Sequence, residues 1–388
     1  MSHTSNGPKY LRLSQELEAR ILQGDWANRK MPSLRVIAEE HDVSVVTAAR
    51  AIQVLSDKVI INKAEKSGYI PTPENKKKNQ KWGLCLRVTP GNWQKVSGAV
   101  SRAGLEAVAG QDNIEFVETF DLGEGVSRKD MQQQVRRALD EGISGIFFLP
   151  SRLTEAQMYQ DEKFLGVCAA ENVAVVLVDR NLRGHCRKLE YDLVCVDDFE
   201  GGLRCTEHLL EIGRKRVGIV VASPTSSHDG RIAGYTHQLR INALRQGQQE
   251  GGYEPIVLTI PTDLSSKEAD RWLANRLVEA NVDGVVCYQD SVAIGLIMEL
   301  FSRGLNVPRD IAVVGFDNLP IGDLFTIGVS TYLYPSEAVI RHALHVMHQR
   351  LEWPAGPPVK VSVQGELIIR ESSLHPGEKE TISVRQEA

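Results

Sequence analysis

From Trp82 onward the chain repeats one pattern: a short apolar run rich in β-branched residues, then a longer stretch with apolar residues at helical spacing. The runs read GLCLRV, GIFFLP, VAVVLVD, RVGIVVA, DGVVCY and IAVVGF. Their continuity suits parallel strands buried on both faces rather than strands with one wet face. Helical stretches fall between them, for example over 98–110, 129–141, 200–212, 231–246, 266–280 and 291–303. Such alternation predicts an α/β fold of parallel sheets flanked by helices. A stretch of about 300 residues is too long for one core, so two lobes are expected.

In open α/β sheets ligands lie beyond the carboxyl ends of the strands. Polar residues stand at three such exits: Asp179 and Arg180 after VAVVLV, Gln289 and Asp290 after GVVCY, and Asp317 after IAVVGF. Carboxylates and a guanidinium gathered in one cleft suit a polyhydroxylated ligand, because they supply paired acceptors and donors. Each has a simpler role open to it. Asp290 and Asp317 could cap the helix or turn that follows, and Asp197 and Asp198 are placed to cap the next helix. Trp93, in TPGNWQ after the first run, could stack on a sugar face or only cover the lobe interface.

The first 81 residues differ in character. They carry 14 Lys/Arg against 9 Asp/Glu, whereas the remainder carries 31 against 41. A small basic segment on a large acidic body points to a polyanion met by the first part only. Tyr10, Leu13, Leu17 and Ile21 predict a first helix over 9–23. Ser33 can cap a second through about His41, and Ser44 a third from Val45 to about Ser56. Only Asp42 and Val43 separate these two, the spacing of a helix-turn-helix. Val36, Ile37, Ala48, Ile52 and Leu55 form the expected core, leaving Val46, Thr47, Arg50 and Gln53 outward. Two short strands, around 58–62 and 68–71 with Lys63–Ser67 at their tip, complete a winged helix-turn-helix of the kind that enters a major groove. PTPENKKKNQK, without an apolar residue, reads as a solvated linker.

MPSLRVIAEEHDVSVVTAARAI and the wing EKSGYI resemble the GntR family of bacterial transcription regulators. The resemblance implies DNA contacts by Arg35, Thr47 and Arg50, Ser44 at the start of the recognition helix, and Lys66, Ser67 and Gly68 in the wing. Val45 and Ala49 stand where that family often has Arg or Lys, so its common operator is not expected. VVLVDR, GGLRCTEHLLEIGRKRVGIV, RIAGY, DGVVCYQDSVAIGLIMELFSRGLNVPRDIAVVGFDN and ELIIRESS resemble the effector domain of the LacI/GalR family, akin to periplasmic sugar-binding proteins. That resemblance implies two lobes joined by crossovers, an effector between them and dimerisation through this domain. Its ligand positions fall on Asp179 or Arg180, Arg231, Gln289 or Asp290, and Asp317; Arg231 could instead only pair with an acid on its own helix. STYLYPSEAVIRHAL departs from the family, with Val339 and Ile340 where glycine is usual.

The expected organisation is therefore a winged helix over 1–71, a linker over 72–81, a two-lobed effector and dimerisation domain over 82–374, and a polar tail over 375–388. The expected function is transcriptional regulation, as a repressor of carbohydrate genes, with operator DNA, a sugar-like effector and a second copy as partners and no cofactor. A sugar-active enzyme and a non-regulatory sugar-binding protein are the alternatives. No GxSxG, HExxH or P-loop supports catalysis. Six scattered cysteines without a CxxC pair offer no metal knuckle. No run approaches a spanning helix and MSHTSNGPKYLRL has no signal-peptide core, which gives a cytoplasmic expectation.

Overall fold

A computed structural model of the 388-residue chain describes residues 8–374 except 23–24, 27–28, 58–60, 64–67, 72–79, 87–99, 111–113, 119, 124, 152–153, 184–187, 224–227, 248–252 and 325. Two compact units divide the chain at residues 79 and 80.

In the first unit, helices α1 (Lys9–Leu22), α2 (Leu34–Glu40) and α3 (Val45–Asp57) precede two short strands, β1 (Ile61–Lys63) and β2 (Tyr69–Pro71). The strands pair antiparallel, Asn62 opposite Ile70. Three helices and a hairpin are the arrangement of a winged helix. Leu13, Leu17, Ile37, Ala48, Ala51, Ile52 and Leu55 make its core. Val36, expected inside, is 41% exposed: the short α2 turns Ile37 and Ala38 inward, and the residue before them lies on another face.

The second unit is built from two six-stranded sheets. The first carries β3 (Gln80–Cys85), α4 (Arg102–Ala109), β4 (Ile114–Val117), α5 (Arg128–Asp140), β5 (Ile143–Phe148), α6 (Glu155–Ala170), β6 (Ala174–Val178) and β7 (Asp192–Val196). The chain then passes into a second lobe. There it forms α7 (Asp198–Glu211), β8 (Val217–Ala222), α8 (Asp229–Arg245), β9 (Ile256–Ile260), α9 (Ser266–Glu279) and β10 (Gly284–Cys287), followed by α10 (Asp290–Ser302), β11 (Ala312–Phe316), α11 (Pro320–Leu324) and β12 (Ser330–Leu333). Helix α12 (Ser336–Glu352) returns to pack on α4, β6 and β7. Strand β13 (Lys360–Val363) joins the first sheet and β14 (Glu366–Ile368) the second.

The strand orders are β13-β7-β6-β5-β3-β4 and β14-β12-β11-β10-β8-β9. Position by position, β6 therefore corresponds to β11 and β7 to β12. All pairings are parallel except β12 with β14. Three crossovers join the lobes, after β7, after β12 and between β13 and β14. Gln80 and Lys81, expected in the linker, open β3 instead and pair with Ile114 and Glu115. Their side chains are half-buried rather than buried, which is how polar residues are accommodated at a strand's start.

Ile340 lies across α4 so closely that a Cβ on Gly104 would come within 2.7 Å of its Cδ1. The bulk at 339–340 is thus absorbed in the core of the first lobe. Cys85, Cys168, Cys195, Cys205 and Cys287 are buried free thiols. Burial pushes Cys195 up to about 12, so it acts as a small hydrophobe.

Candidate functional site

Strand β11 is buried throughout and ends at Asp317, whose N–H donates to the Tyr332 carbonyl at 2.9 Å. Asp317 and Asn318 both take left-handed backbone, with φ of 91° and 52°, a region Asp and Asn tolerate better than most residues. The turn is held on several sides. The Asn318 N–H donates to Thr331 Oγ1 at 3.1 Å. Arg370 Nη2 donates to Asn318 Oδ1 at 2.8 Å. The Leu319 N–H donates to Asp290 Oδ2 at 2.7 Å. Gln289 Nε2 donates to Asp317 Oδ2 at 3.2 Å.

The other lobe repeats this device. Asp179 follows β6, takes φ 71°, and donates its N–H to the Val194 carbonyl in the next strand at 2.9 Å. Since β6 and β11 hold the same place in their sheets, the two aspartates are structural counterparts, one at the exit of each lobe. Arg180 pairs with Asp179, donating Nε and Nη2 to Oδ2.

Arg231 enters from the first turn of α8 and is 9% exposed. Nε donates to Asp198 Oδ1 at 2.6 Å and Nη1 to the Tyr288 carbonyl at 2.7 Å. The guanidinium lies 3.9 Å from the centre of the Phe316 ring, an arrangement that favours its charge. Burial works against that charge, but Asp198, Asp317 and Asp179 outweigh it and raise the pKa. The expected pairing of Arg231 with an acid is present, although the acid belongs to α7 rather than to its own helix. Asp198 is therefore not the cap; Asp197 is, accepting from the Glu200 N–H at 3.1 Å.

The fold thus brings Asp179, Arg180, Arg231, Gln289 and Asp317 to one region. Asp290 is separated from them in role. It is fully buried beneath the turn it supports, and a Cβ on Gly315 would lie 2.1 Å from its Oδ1. Its Oδ2 holds the turn through the Leu319 N–H, while Asp317 stands half-buried above it. Asp290 is not the helix cap, since the capping position is Gln289. Trp93, Lys66 and Ser67 lie outside the described residues. Tyr334 had no local signal in the sequence. It is 5% exposed, follows β12 at the second crossover, and has a buried Oη with no hydrogen-bond partner among the described residues.

Burial raises Asp290 to about 7, against hydrogen bonds from Thr331 and Leu319 that lower it. Unfolded, an aspartate titrates near ~4. Between these values the folded chain binds the extra proton, so this carboxyl contributes stability that falls as pH rises from about 4 to about 7. Asp290→Asn is expected to remove a few kcal/mol of that slope. Unfolding midpoints of wild type and variant at several pH values across this window check it; parallel curves would mean Asp290 ionises normally.

In the first unit Ser44 caps α3, its Oγ accepting from the Thr47 N–H at 3.1 Å and lying 2.8 Å from Thr47 Oγ1. Arg35, Arg50 and Gln53 are exposed, as are Val45 at 47% and Val46 at 65%. Gly68 takes φ +87°, where a Cβ would lie 3.9 Å from Lys30 Cδ, and is positioned to turn the hairpin.

Residues 206–373 match the family described as periplasmic binding protein-like domain. The chain is 23% identical over 373 residues to the arabinose metabolism transcriptional repressor of Geobacillus stearothermophilus, covering 94% of this chain and 98% of that protein. It is 26% identical over 251 residues to the repressor PurR of Actinobacillus pleuropneumoniae, covering 62% and 68%. The crystal structure of the transcription regulator CcpA of Lactococcus lactis superposes with a TM-score of 0.58 at 19% identity, over 76% of this chain and 99% of that one.

Fold and matches together give residues 206–373 a periplasmic-binding-protein-like domain, and the two-sheet architecture of residues 80–374 is the fold of the transcription regulator structures it superposes on. The relatives of this chain are transcriptional repressors and regulators. These comparisons support the effector-domain half of the resemblance drawn from the sequence; they lend no support to the GntR-type half.

Proposed function

We propose that the chain is a DNA-binding transcriptional regulator, a repressor of carbohydrate genes, switched by a sugar-like effector held between the lobes of residues 82–374. The observation that carries this reading is the pairing of Asp179 and Asp317 at equivalent strand exits, with Arg231 beside them. Ligand-linked movement of two lobes about three crossovers provides two states with different affinity, which regulation requires.

The unit before residue 80 reads operator DNA through α3. The finer assignment of this unit to the GntR type rests on the MPSLRVIAEEHDVSVVTAARAI segment and on the β1–β2 hairpin. Arg50 and Gln53 supply base-edge donors, Arg35 and the wing residues Lys66, Ser67 and Gly68 supply backbone contacts, and Val45 and Val46 suit thymine methyl groups. A homodimer in the cytoplasm presents two such units to a two-fold operator. No helix among the described residues is long and apolar enough to cross a membrane.

Selection of bound duplexes from a random pool, followed by fluorescence anisotropy, tests both halves. Arg50→Ala is expected to weaken operator binding by roughly tenfold to a hundredfold while leaving the effector response intact. Asp317→Asn, which keeps a residue suited to left-handed backbone, is expected to bind operator normally and respond weakly to effector. Failure of the wild-type chain to select any sequence would overturn the regulator reading.

A further inference from the structure

We propose that this chain reads its DNA site chiefly through thymine methyl groups, two in each half-site, packed against Val45 and Val46 at the start of α3. The inference rests on the reading of the first unit as a DNA-binding unit and deepens it to the class of sequence bound. Three features of that unit carry it.

The first is exposure. Val45 is 47% exposed and Val46 65%. A lone apolar residue at a surface is ordinary, but two β-branched residues side by side ask for a reason. The core supplies none, since it takes Ala48, Ala51, Ile52 and Leu55 from the same helix. Helix stability supplies none either, because valine favours a helix less than alanine does.

The second is what the first turn of α3 offers a base edge. Ser44 Oγ accepts from the Thr47 N–H at 3.1 Å and lies 2.8 Å from Thr47 Oγ1. Both hydroxyls are committed to the cap, so what Thr47 has left to offer is a methyl group. Arg50 is the only charged residue of α3 before Asp57, which limits bidentate guanine contacts from this helix to one. Val46, Arg50 and Gln53 are all exposed and fall at i, i+4 and i+7, on one face. Val45 lies about 100° around the helix from Val46, so the two valines meet different base pairs.

The third is charge. Arg29, Lys30 and Arg35 are exposed. The Met31 N–H donates to the Tyr69 carbonyl at 2.8 Å, which ties this basic segment to the hairpin. Cations beside an apolar helix start suit a duplex: phosphates meet the former, and the thymine C5 methyl is the apolar group that the major groove presents to the latter. Glu39, Glu40 and Asp42 are exposed as well and offset part of the positive charge, which leaves more of the binding to groove contacts.

The test uses the full chain and the duplex it selects from a random pool. Each half-site thymine is replaced in turn by deoxyuridine, which removes the methyl and keeps every hydrogen-bonding group, and affinity is read by fluorescence anisotropy. At two positions the affinity is expected to fall about threefold to fivefold for the methyl lost. Val46→Ala should bind thymine and deoxyuridine equally at one of them, and Val45→Ala at the other. Both valines are exposed, so these variants should keep the wild-type unfolding midpoint. Arg50→Ala should weaken binding and keep both methyl preferences.

Equal affinity for thymine and deoxyuridine at every half-site position overturns the proposal and leaves the regulator reading standing. So does a methyl preference that persists in both valine variants, which would assign it to another residue. A wild-type chain that selects no duplex overturns the DNA-binding reading itself and this proposal with it.

Discussion

Gly234→Ala is expected to lower the unfolding midpoint of the second unit by about 5 °C, through a loss of roughly 3 kcal/mol. Helices α7 and α8 cross backbone to backbone. A Cβ on Gly234 would lie 2.0 Å from the Phe199 carbonyl oxygen, and one on Gly202 would lie 2.1 Å from the Arg231 carbonyl oxygen. Neither neighbour is a side chain that could change rotamer, so the helices themselves must separate. Separation would draw Arg231 away from Asp198, so the same substitution should weaken effector binding. Gly166→Ala in α6 is the control. A Cβ there meets nothing within 4 Å, and alanine should gain about 0.5–1 kcal/mol from its better helix propensity. Thermal scans of the three proteins decide the matter. Equal midpoints for wild type and Gly234→Ala would show that the crossing is looser than the structure has it.

Asp198→Ala is expected to cost about 3–5 kcal/mol, because it removes the one carboxylate that the buried Arg231 Nε donates to and leaves only the more distant charges of Asp317 and Asp179. Asp198 and Arg231 are 8% and 9% exposed, so solvent screens the pair little. The cost belongs to the orphaned charge more than to the bond. Accordingly, Asp198→Leu with Arg231→Met should be less damaging than Asp198→Ala alone. Urea unfolding of single and double variants measures this. A double variant less stable than the single would mean that the pair contributes far more than it costs to bury. The comparison also sets a condition on ligand studies: Arg231 variants that lose the effector response must first be shown to be folded.

Much of this architecture was legible in local sequence. The six apolar runs all correspond to observed strands, because strands buried on both faces must be apolar along their whole length. Helices with one wet face, such as α5 and α9, announced themselves by period. Helix α6 was not among the expected elements. Its buried residues include Gln160 and Asp161 beside Phe164 and Leu165, and a helix buried on more than one side has no single apolar stripe to read. Asp161 is there to accept the Ser151 N–H at 2.6 Å, a partner ten residues away that no local pattern reveals.

The candidate site divides along the same line. Asp179, Arg180, Gln289 and Asp317 could be named because each stands where an apolar run stops, and a charge at that point has few other reasons. Nothing local separated Asp290 from Asp317: each is an acid at the exit of a buried strand. Packing separated them, by closing Gly315 and Leu319 over one and leaving the other at the rim. The Arg231–Asp198 pair was hidden for the converse reason, since its two members come from different helices, and Tyr334 because its burial is set by packing between elements far apart in the chain.

The sequence by itself determined the six strands buried on both faces and the helices with one wet face, and that polar residues gather at the strand exits, because these follow from the period and termination of apolar residues along the chain. Tertiary structure alone decided which of those polar residues face one another and which are enclosed. That depends on crossovers that bring Tyr334 from one lobe to the other and on glycines that let two helices touch, contacts between residues far apart in the chain.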